Sequence, residues 1–252
     1  MAQGRTYRCR AIVLDKTKLG ESDLILTLLA DDGRQLRAVA KGARKPGSRL
    51  AARCDLCCEV DLLIARGRNL DVVSQAELLA APLGAMPSYE LLTSASAIVE
   101  IARLCSFEDA PDPFVFAITE RALSLLGDAL RQLDGAHRDL IVAAYAMKTL
   151  AHLGYRPDFG SCVLCGDEAV SYFSAAAGGL LCASCASSVA GAEELDAATV
   201  AWLRALMALR FDELADAPID AQTAALLLAL THAWAAVHLD ARLRALEFLL
   251  GC

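Results

Sequence analysis

Histidine is scarce in this sequence, with four residues among 252. His137, His152, His232 and His238 lie in or beside helical runs, and none has a carboxylate, Ser or Cys at a spacing that suggests a catalytic set. Satisfied or solvated helix histidines account for them better than ligands or bases. No P-loop, Gly-x-Ser-x-Gly or His-Glu-x-x-His occurs, so the usual marks of nucleotide hydrolysis, serine hydrolysis and zinc proteolysis are missing. Aromatic residues make up 6% of the chain, and the first 80 residues contain a single one, Tyr7. Base stacking on aromatic rings, worth about 1–3 kcal/mol per base, is nearly excluded there. The most apolar stretch, AALLLALTHAWAAVHLDA, is interrupted by Thr231, His232, His238 and Asp240. A membrane span runs to about 20 apolar residues with few such breaks, so a buried core helix is predicted. MAQGRTYRCR lacks the apolar core and cleavage site of a signal peptide, and cytoplasmic location is expected. Ten cysteines in such a compartment are not expected to form disulfides.

Charge is present but unevenly distributed. The formal net charge is −7, yet residues 1–80 hold 14 Lys and Arg against 10 Asp and Glu, while residues 81–252 hold 10 against 21. A basic head on an acidic body is the pattern of a protein that meets a polyanion at one end, although +4 over 80 residues is also ordinary surface variation.

The head reads as short β-type runs with turn punctuation: YRCRAIVLDKTK, LILTLLA, RQLRAVAKGA, CDLCCEVDLLIA and LDVVSQAELL, separated by LGESD, DDG, ARKPGSR and RGRN. Five such runs without helical periodicity predict a small antiparallel barrel or sandwich. In the fourth run, alternation puts Cys54, Leu56, Cys58, Val60, Leu62 and Ile64 on one face, so CDLCC is read as core strand and not as half of a metal site. From residue 87 the period becomes helical. Asp112-Pro113 offers an N-cap with proline at the first helical position, Gly154 a C-terminal stop, and Asp196 and Asp220 further caps. The predicted organisation is α+β: a β head over 1–80, a helical domain over 81–158 and 187–252, and an insert over 159–186.

That insert carries two Cys-x-x-Cys pairs, Cys162/Cys165 and Cys182/Cys185, with 16 residues between them. This spacing, with Gly166 and Gly178-Gly179 for tight turns, predicts one zinc ion in a closed, structural tetrathiolate site. An iron centre with the same ligands would show the same spacing. A thioredoxin-type pair would need a βαβ unit, and a zinc deaminase would need His-x-Glu.

The loop KGARKPGSR carries Lys41, Arg44, Lys45 and Arg49; Arg34 and Arg37 precede it, and Arg66 and Arg68 occupy the next hairpin turn. Eight cations around flexible loops suit a phosphate-tracking surface, against the plainer reading of a solvated loop.

RAIVL, GESDLIL, DDGR, VAKGARK and LDVVSQAELL together resemble the N-terminal domain of the bacterial RecO family of recombination mediators. HLGYRPDFGSCVLCG and GGLLCASC are similar to the central part of its zinc-containing members, and LRALEFL to its closing helix. The resemblance implies a five-stranded OB-fold barrel, a helical domain and a zinc ribbon. It implies a non-enzymatic role in RecF-pathway DNA repair: binding single- and double-stranded DNA, annealing complementary strands, and engaging the C-terminal tail of single-stranded DNA-binding protein. With RecR, such proteins help RecA load, and RecF and RecA are indirect partners of a nucleoid-associated protein. Lys41, Arg44 and Lys45 fall on the family's motif as DNA contacts, and the four cysteines as zinc ligands. CDLCC departs from the family pattern, which commonly has a Pro-Phe-type pair there. Arg121 and Arg131 are candidates for the tail site, with solvated helix faces an equal reading. An adaptor whose barrel binds partner proteins instead of DNA is the alternative.

Overall fold

A computed structural model describes residues 6–251 of the protein; the first five residues, including part of the stretch read for a signal peptide, lie outside the described residues. Two compact units divide the chain after Arg131.

The first unit opens with β1 (Thr6–Leu19), β2 (Asp23–Ala30), β3 (Gln35–Ala40), a short helix α1 (Arg49–Arg53), β4 (Glu59–Ala65) and β5 (Asp71–Ala80). The strands close into a barrel in the order β1-β2-β3-β5-β4, the connectivity of an OB-fold. All neighbours are antiparallel except β3 and β5, which meet in parallel at only Ala38–Asp71 and Val39–Val72. Alternate residues fill the interior: Ala11 and Val13, Leu26 and Leu28, Ala38 and Ala40, Val60, Leu62 and Ile64, with Val73 and Ala76.

One expectation fails at CDLCC. The strand begins only at Glu59, because Cys54 closes α1 and Cys57 adopts a left-handed conformation with φ +64°. The Cys57 N–H donates to the Val13 carbonyl at 2.9 Å and the Val13 N–H donates to the Cys58 carbonyl at 3.0 Å. These bonds fall beside the β1–β2 register shift between Val13 and Asp15; they leave Cys57 buried outside the barrel core, near Ile12 and Leu123, while Cys54 and Cys58 join that core as the alternation predicts.

Two helices, α2 (Tyr89–Cys105) and α3 (Pro113–Leu126), pack in the same unit as the barrel. Ser88 caps α2 by accepting the Leu91 N–H, and Asp112 caps α3 by accepting the Phe114 N–H ahead of Pro113. Gln35, at the start of β3, clamps the end of α2: its side-chain amide donates to the Arg103 and Ser106 carbonyls at 2.7 and 3.0 Å. Arg10 of β1 pairs with Glu59 of β4 and with Glu120 of α3, and its guanidinium lies 5.3 Å from the centre of the Phe116 ring.

In the second unit, α4 (Gly135–His152) packs on the long α8 (Ala221–Leu239), with α6 (Ala197–Ala208), α7 (Phe211–Ala215) and the terminal α9 (Arg244–Leu249) beside them. Asp134, Asp196 and Asp220 cap α4, α6 and α8. By length and composition α8 could cross a membrane, but its Ala224, Leu227, Leu228, Leu230, Thr231, Trp234 and Ala235 are buried within the unit, as a core helix requires. Between α4 and α6 lies a ribbon: β6 (Tyr172–Ser174) pairs with β7 (Gly179–Leu181) and β8 (Glu193–Glu194), and a single turn, α5 (Ala183–Ala186), follows β7.

Gly33, in the β2–β3 turn, sits at φ +85°, and a Cβ there would lie 1.9 Å from the Asp112 carbonyl oxygen. Gly33→Ala should therefore cost about 2 kcal/mol or more and lower Tm by several degrees. Thermal melting followed by circular dichroism checks this, with an unchanged Tm as the contrary result.

Candidate functional site

All eight cations singled out on the barrel are exposed. Lys41, Arg44 and Lys45 share the loop that leaves the end of β3, and Arg49 opens α1 directly after it. Arg37 sits on β3 in opposite phase to the inward Leu36 and Ala38, so it faces out. The parallel pairing of Ala38 with Asp71 brings the β4–β5 turn, with Arg66 and Arg68, alongside this part of β3. Arg34 lies in the β2–β3 turn, at the end of β3 away from the Lys41–Lys45 loop and the same end to which the parallel register sends Arg66 and Arg68; its Nε donates to Asp32 at 2.7 Å. Among the described residues no carboxylate pairs with Arg37, Lys41, Arg44, Lys45, Arg49 or Arg68.

The head's one aromatic is already engaged. Tyr7 Oη donates to Asp71 at 2.6 Å, and the Arg66 guanidinium lies 5.2 Å from the centre of its ring. Burial, with the Asp71 hydrogen bond, pushes the Tyr7 phenol well above its ordinary range. A ring so covered offers no face to a base. Two arginines escaped the sequence reading. Arg8 of β1 and Arg53 of α1 line a groove of about 620 Å³ with Arg49, Asp61 and Glu77. Arg53 donates to the Ala76 carbonyl at 2.7 Å, which holds α1 against β5. Its cue was unreadable because α1 spans five residues, too few to show a helical period. Arg121 lines a separate cleft in the first unit with Glu59, Pro82 and Glu120, while Arg131 lies 3.9 Å from Asp128.

Cys162, Cys165, Cys182 and Cys185 come together with their sulfurs within 4.8 Å of one another. The Cys165 and Cys182 sulfurs are 3.7 Å apart. A tetrahedron with metal–sulfur bonds of about 2.3 Å has edges of about 3.8 Å, so the four positions fit one cation. The backbone is arranged for thiolate. The Cys182 N–H, with those of Leu164 and Cys165, pulls Cys162 down to about 6. Cys185, crowded by the Cys165 and Cys182 thiols, is pushed up to about 12. Four sulfurs this close cannot all ionise unaided, and a shared cation removes the conflict. Around them Leu181, Val163, Val170 and Tyr172 form a small apolar cluster. Phe173 of β6 packs against Phe159 and Trp234, and Arg204 of α6 donates to the Phe159 carbonyl at 2.7 Å. The site thus fastens the ribbon within the second unit. It is the only such cluster among the described residues, and CDLCC contributes nothing to it.

Comparison with known proteins matches the family model described as Recombination protein O N terminal over residues 1–82, and the one described as Recombination protein O C terminal over residues 86–247. The chain belongs to the RecO family. Among similar RecO relatives, the DNA repair protein RecO of Bifidobacterium adolescentis is 35% identical over 250 residues, covering 96% of this chain and 98% of its own. That of Cutibacterium acnes is 37% identical over 208 residues, covering 80% and 82%, and that of a Nocardioides species is 37% identical over 209 residues, again 80% and 82%. RecO membership puts the chain among DNA repair and recombination proteins, as the sequence resemblance implied.

Outside this site, Cys9, Cys54, Cys57 and Cys105 are buried and held as thiols. Burial pushes the Cys9 and Cys105 thiols up to about 12 and Cys54 up to about 11, and raises Cys57 further. Iodoacetamide at pH 8 should leave Cys9, Cys54, Cys57 and Cys105 unlabelled in the native protein and label them after unfolding, as read by mass spectrometry. The folded thiols bind protons more tightly than the unfolded ones. Their contribution to stability is therefore complete below about pH 9 and lost as pH climbs towards 11–12.

Proposed function

We propose that this RecO-family protein is a non-enzymatic DNA-binding mediator of recombination, whose barrel holds sugar–phosphate chains electrostatically. The observation that carries the reading is the loop bearing Lys41, Arg44 and Lys45, all exposed and free of carboxylate partners, on an OB-type barrel. Arg37, Arg49, Arg66 and Arg68 extend the positive surface, while Arg34, already paired with Asp32, contributes least. The engagement of Tyr7 argues for binding without base stacking, indifferent to sequence and open to single and double strands. Annealing follows physically: cations that neutralise two backbones at once leave both sets of bases free to pair.

The division of labour we propose keeps DNA on residues 1–80 and assigns partners to the helical domain. By family likeness those partners are RecR, the tail of single-stranded DNA-binding protein and, indirectly, RecF and RecA, in a cytoplasmic, nucleoid-associated setting. The metal is proposed to be a single structural zinc, since four thiolates leave no coordination position for water or substrate. An adaptor role for the barrel has one observation in its favour, the exposed Leu78 and Leu79 on β5.

Binding of fluorescent single-stranded DNA should weaken as salt rises, with a slope of log K against log salt of about −2 to −3 for three to four phosphate contacts. Replacing Lys41, Arg44 and Lys45 together by Glu should lower affinity at least about tenfold. Wild-type affinity in that variant would support the adaptor. Purified protein should contain about one zinc per chain, and Cys162→Ser combined with Cys182→Ser should abolish it and expose Tyr172 and Phe173 to chymotrypsin, with metal content read by elemental analysis.

A further inference from the structure

The β1–β2 turn carries no cation, yet the cationic loop is anchored to it. The Asp23 carboxylate accepts the Gly42 backbone N–H at 2.7 Å and the Ser22 hydroxyl at 3.0 Å. Beside it the Ser22 carbonyl accepts the Arg44 N–H at 2.8 Å, and the Gly20 carbonyl accepts Arg44 Nη1 at 3.0 Å. Gly42 takes a left-handed conformation, φ +66°, and the Lys45 N–H closes a turn onto its carbonyl at 3.1 Å. Asp23 is the first residue of β2 and pairs with Leu19, so the barrel fixes its backbone while its carboxylate reaches the loop. The Gly42 N–H, then the Ser22 hydroxyl, with Lys41 and Lys45 adding less, hold that carboxyl below the ordinary carboxylate range.

An anion beside Lys41 and Lys45 should by charge alone repel phosphate, and its removal should tighten DNA binding. The bonding points the other way. We propose that Asp23 is a positioning residue for the DNA-binding loop: its carboxylate holds the Gly42 turn and, with the Arg44–Gly20 bridge, presets Lys41, Arg44 and Lys45 as one rigid cationic edge. A preset edge spares the complex the entropy of ordering the loop when DNA arrives. In that arrangement Arg44 is both a charge and a latch, which distinguishes it from its lysine neighbours. The inference rests on the DNA-binding reading above and adds to it the group that shapes the site.

The test is anisotropy of fluorescent single-stranded DNA over a salt series, with wild type, Asp23→Ala, Asp23→Asn, Gly42→Ala and the triple Glu variant, each first checked by thermal melting. Asp23→Ala should weaken binding about three- to tenfold and flatten the salt slope. Asp23→Asn, which keeps an acceptor oxygen, should stay within about twofold of wild type. Gly42→Ala changes no charge, and its methyl would meet only the Lys45 side chain at 3.6 Å, so strain at φ should weaken binding in the same way. If Asp23→Ala binds as tightly as wild type or more tightly while the triple variant loses binding, the positioning role is overturned and the DNA reading stands. If the triple variant binds normally, the DNA reading itself is overturned, and this inference with it. Should Asp23→Ala fail to fold, Gly42→Ala decides alone, and wild-type affinity there overturns the role.

Discussion

Backbone pairing along β1 is the constraint from which the barrel follows. Its 14 residues serve two neighbours: Thr6–Ile12 pair with β4, and Ala11–Leu19 pair with β2. Only Ala11 and Ile12 are paired on both sides, so the strand must bend between its two partners. It does so where the β1–β2 register shifts beyond Val13, and on its other edge Cys57 and Cys58 carry the β1–β4 ladder one residue further. A slip of one residue in either pairing would turn Ala11 and Val13 outward. The cationic segments hang from the ends of this strand: the turn after Leu19 anchors the loop of Lys41 and Arg44, while Thr6 lies beside Ala65, just before Arg66. Register therefore decides where charge is displayed.

The second unit meets a different difficulty. Its ribbon has strands of three, three and two residues, too short to be stable as an isolated sheet. Two supports compensate. Phe173 is buried against Phe159 and Trp234 on one side, and the four sulfurs gather the knuckles on the other. A cation held there would stabilise structure without chemistry of its own, because sulfur would fill every coordination position.

Local chemistry was legible in the sequence, and long-range chemistry was not. The caps at Asp112, Asp196 and Asp220, Pro113, the Cys-x-x-Cys knuckles and all five barrel strands show themselves within a few residues, because a cap or a period-two alternation is a near-neighbour property. At CDLCC the alternation held for Cys54 and Cys58, which reach the barrel core, but the extended backbone it presumes did not, because the chain bonds to the distant Val13 through a left-handed Cys57. α1 was too short to have a period. Asp23 read as turn punctuation, since its role needs Gly42, 19 positions away. Arg34 read as a free cation although Asp32 stands two residues before it; only geometry says that this pair closes.

The kinship of α2 and α3 with the barrel has a practical edge. The two family models change over between residues 82 and 86, whereas cohesion runs on to Arg131. A fragment cut between residues 82 and 86 would strip Arg10 of Glu120, deprive Gln35 of its carbonyl clasp and leave the close-fitting Gly33 turn facing water. Here the stretch that shares one family likeness is shorter than the unit that holds itself together.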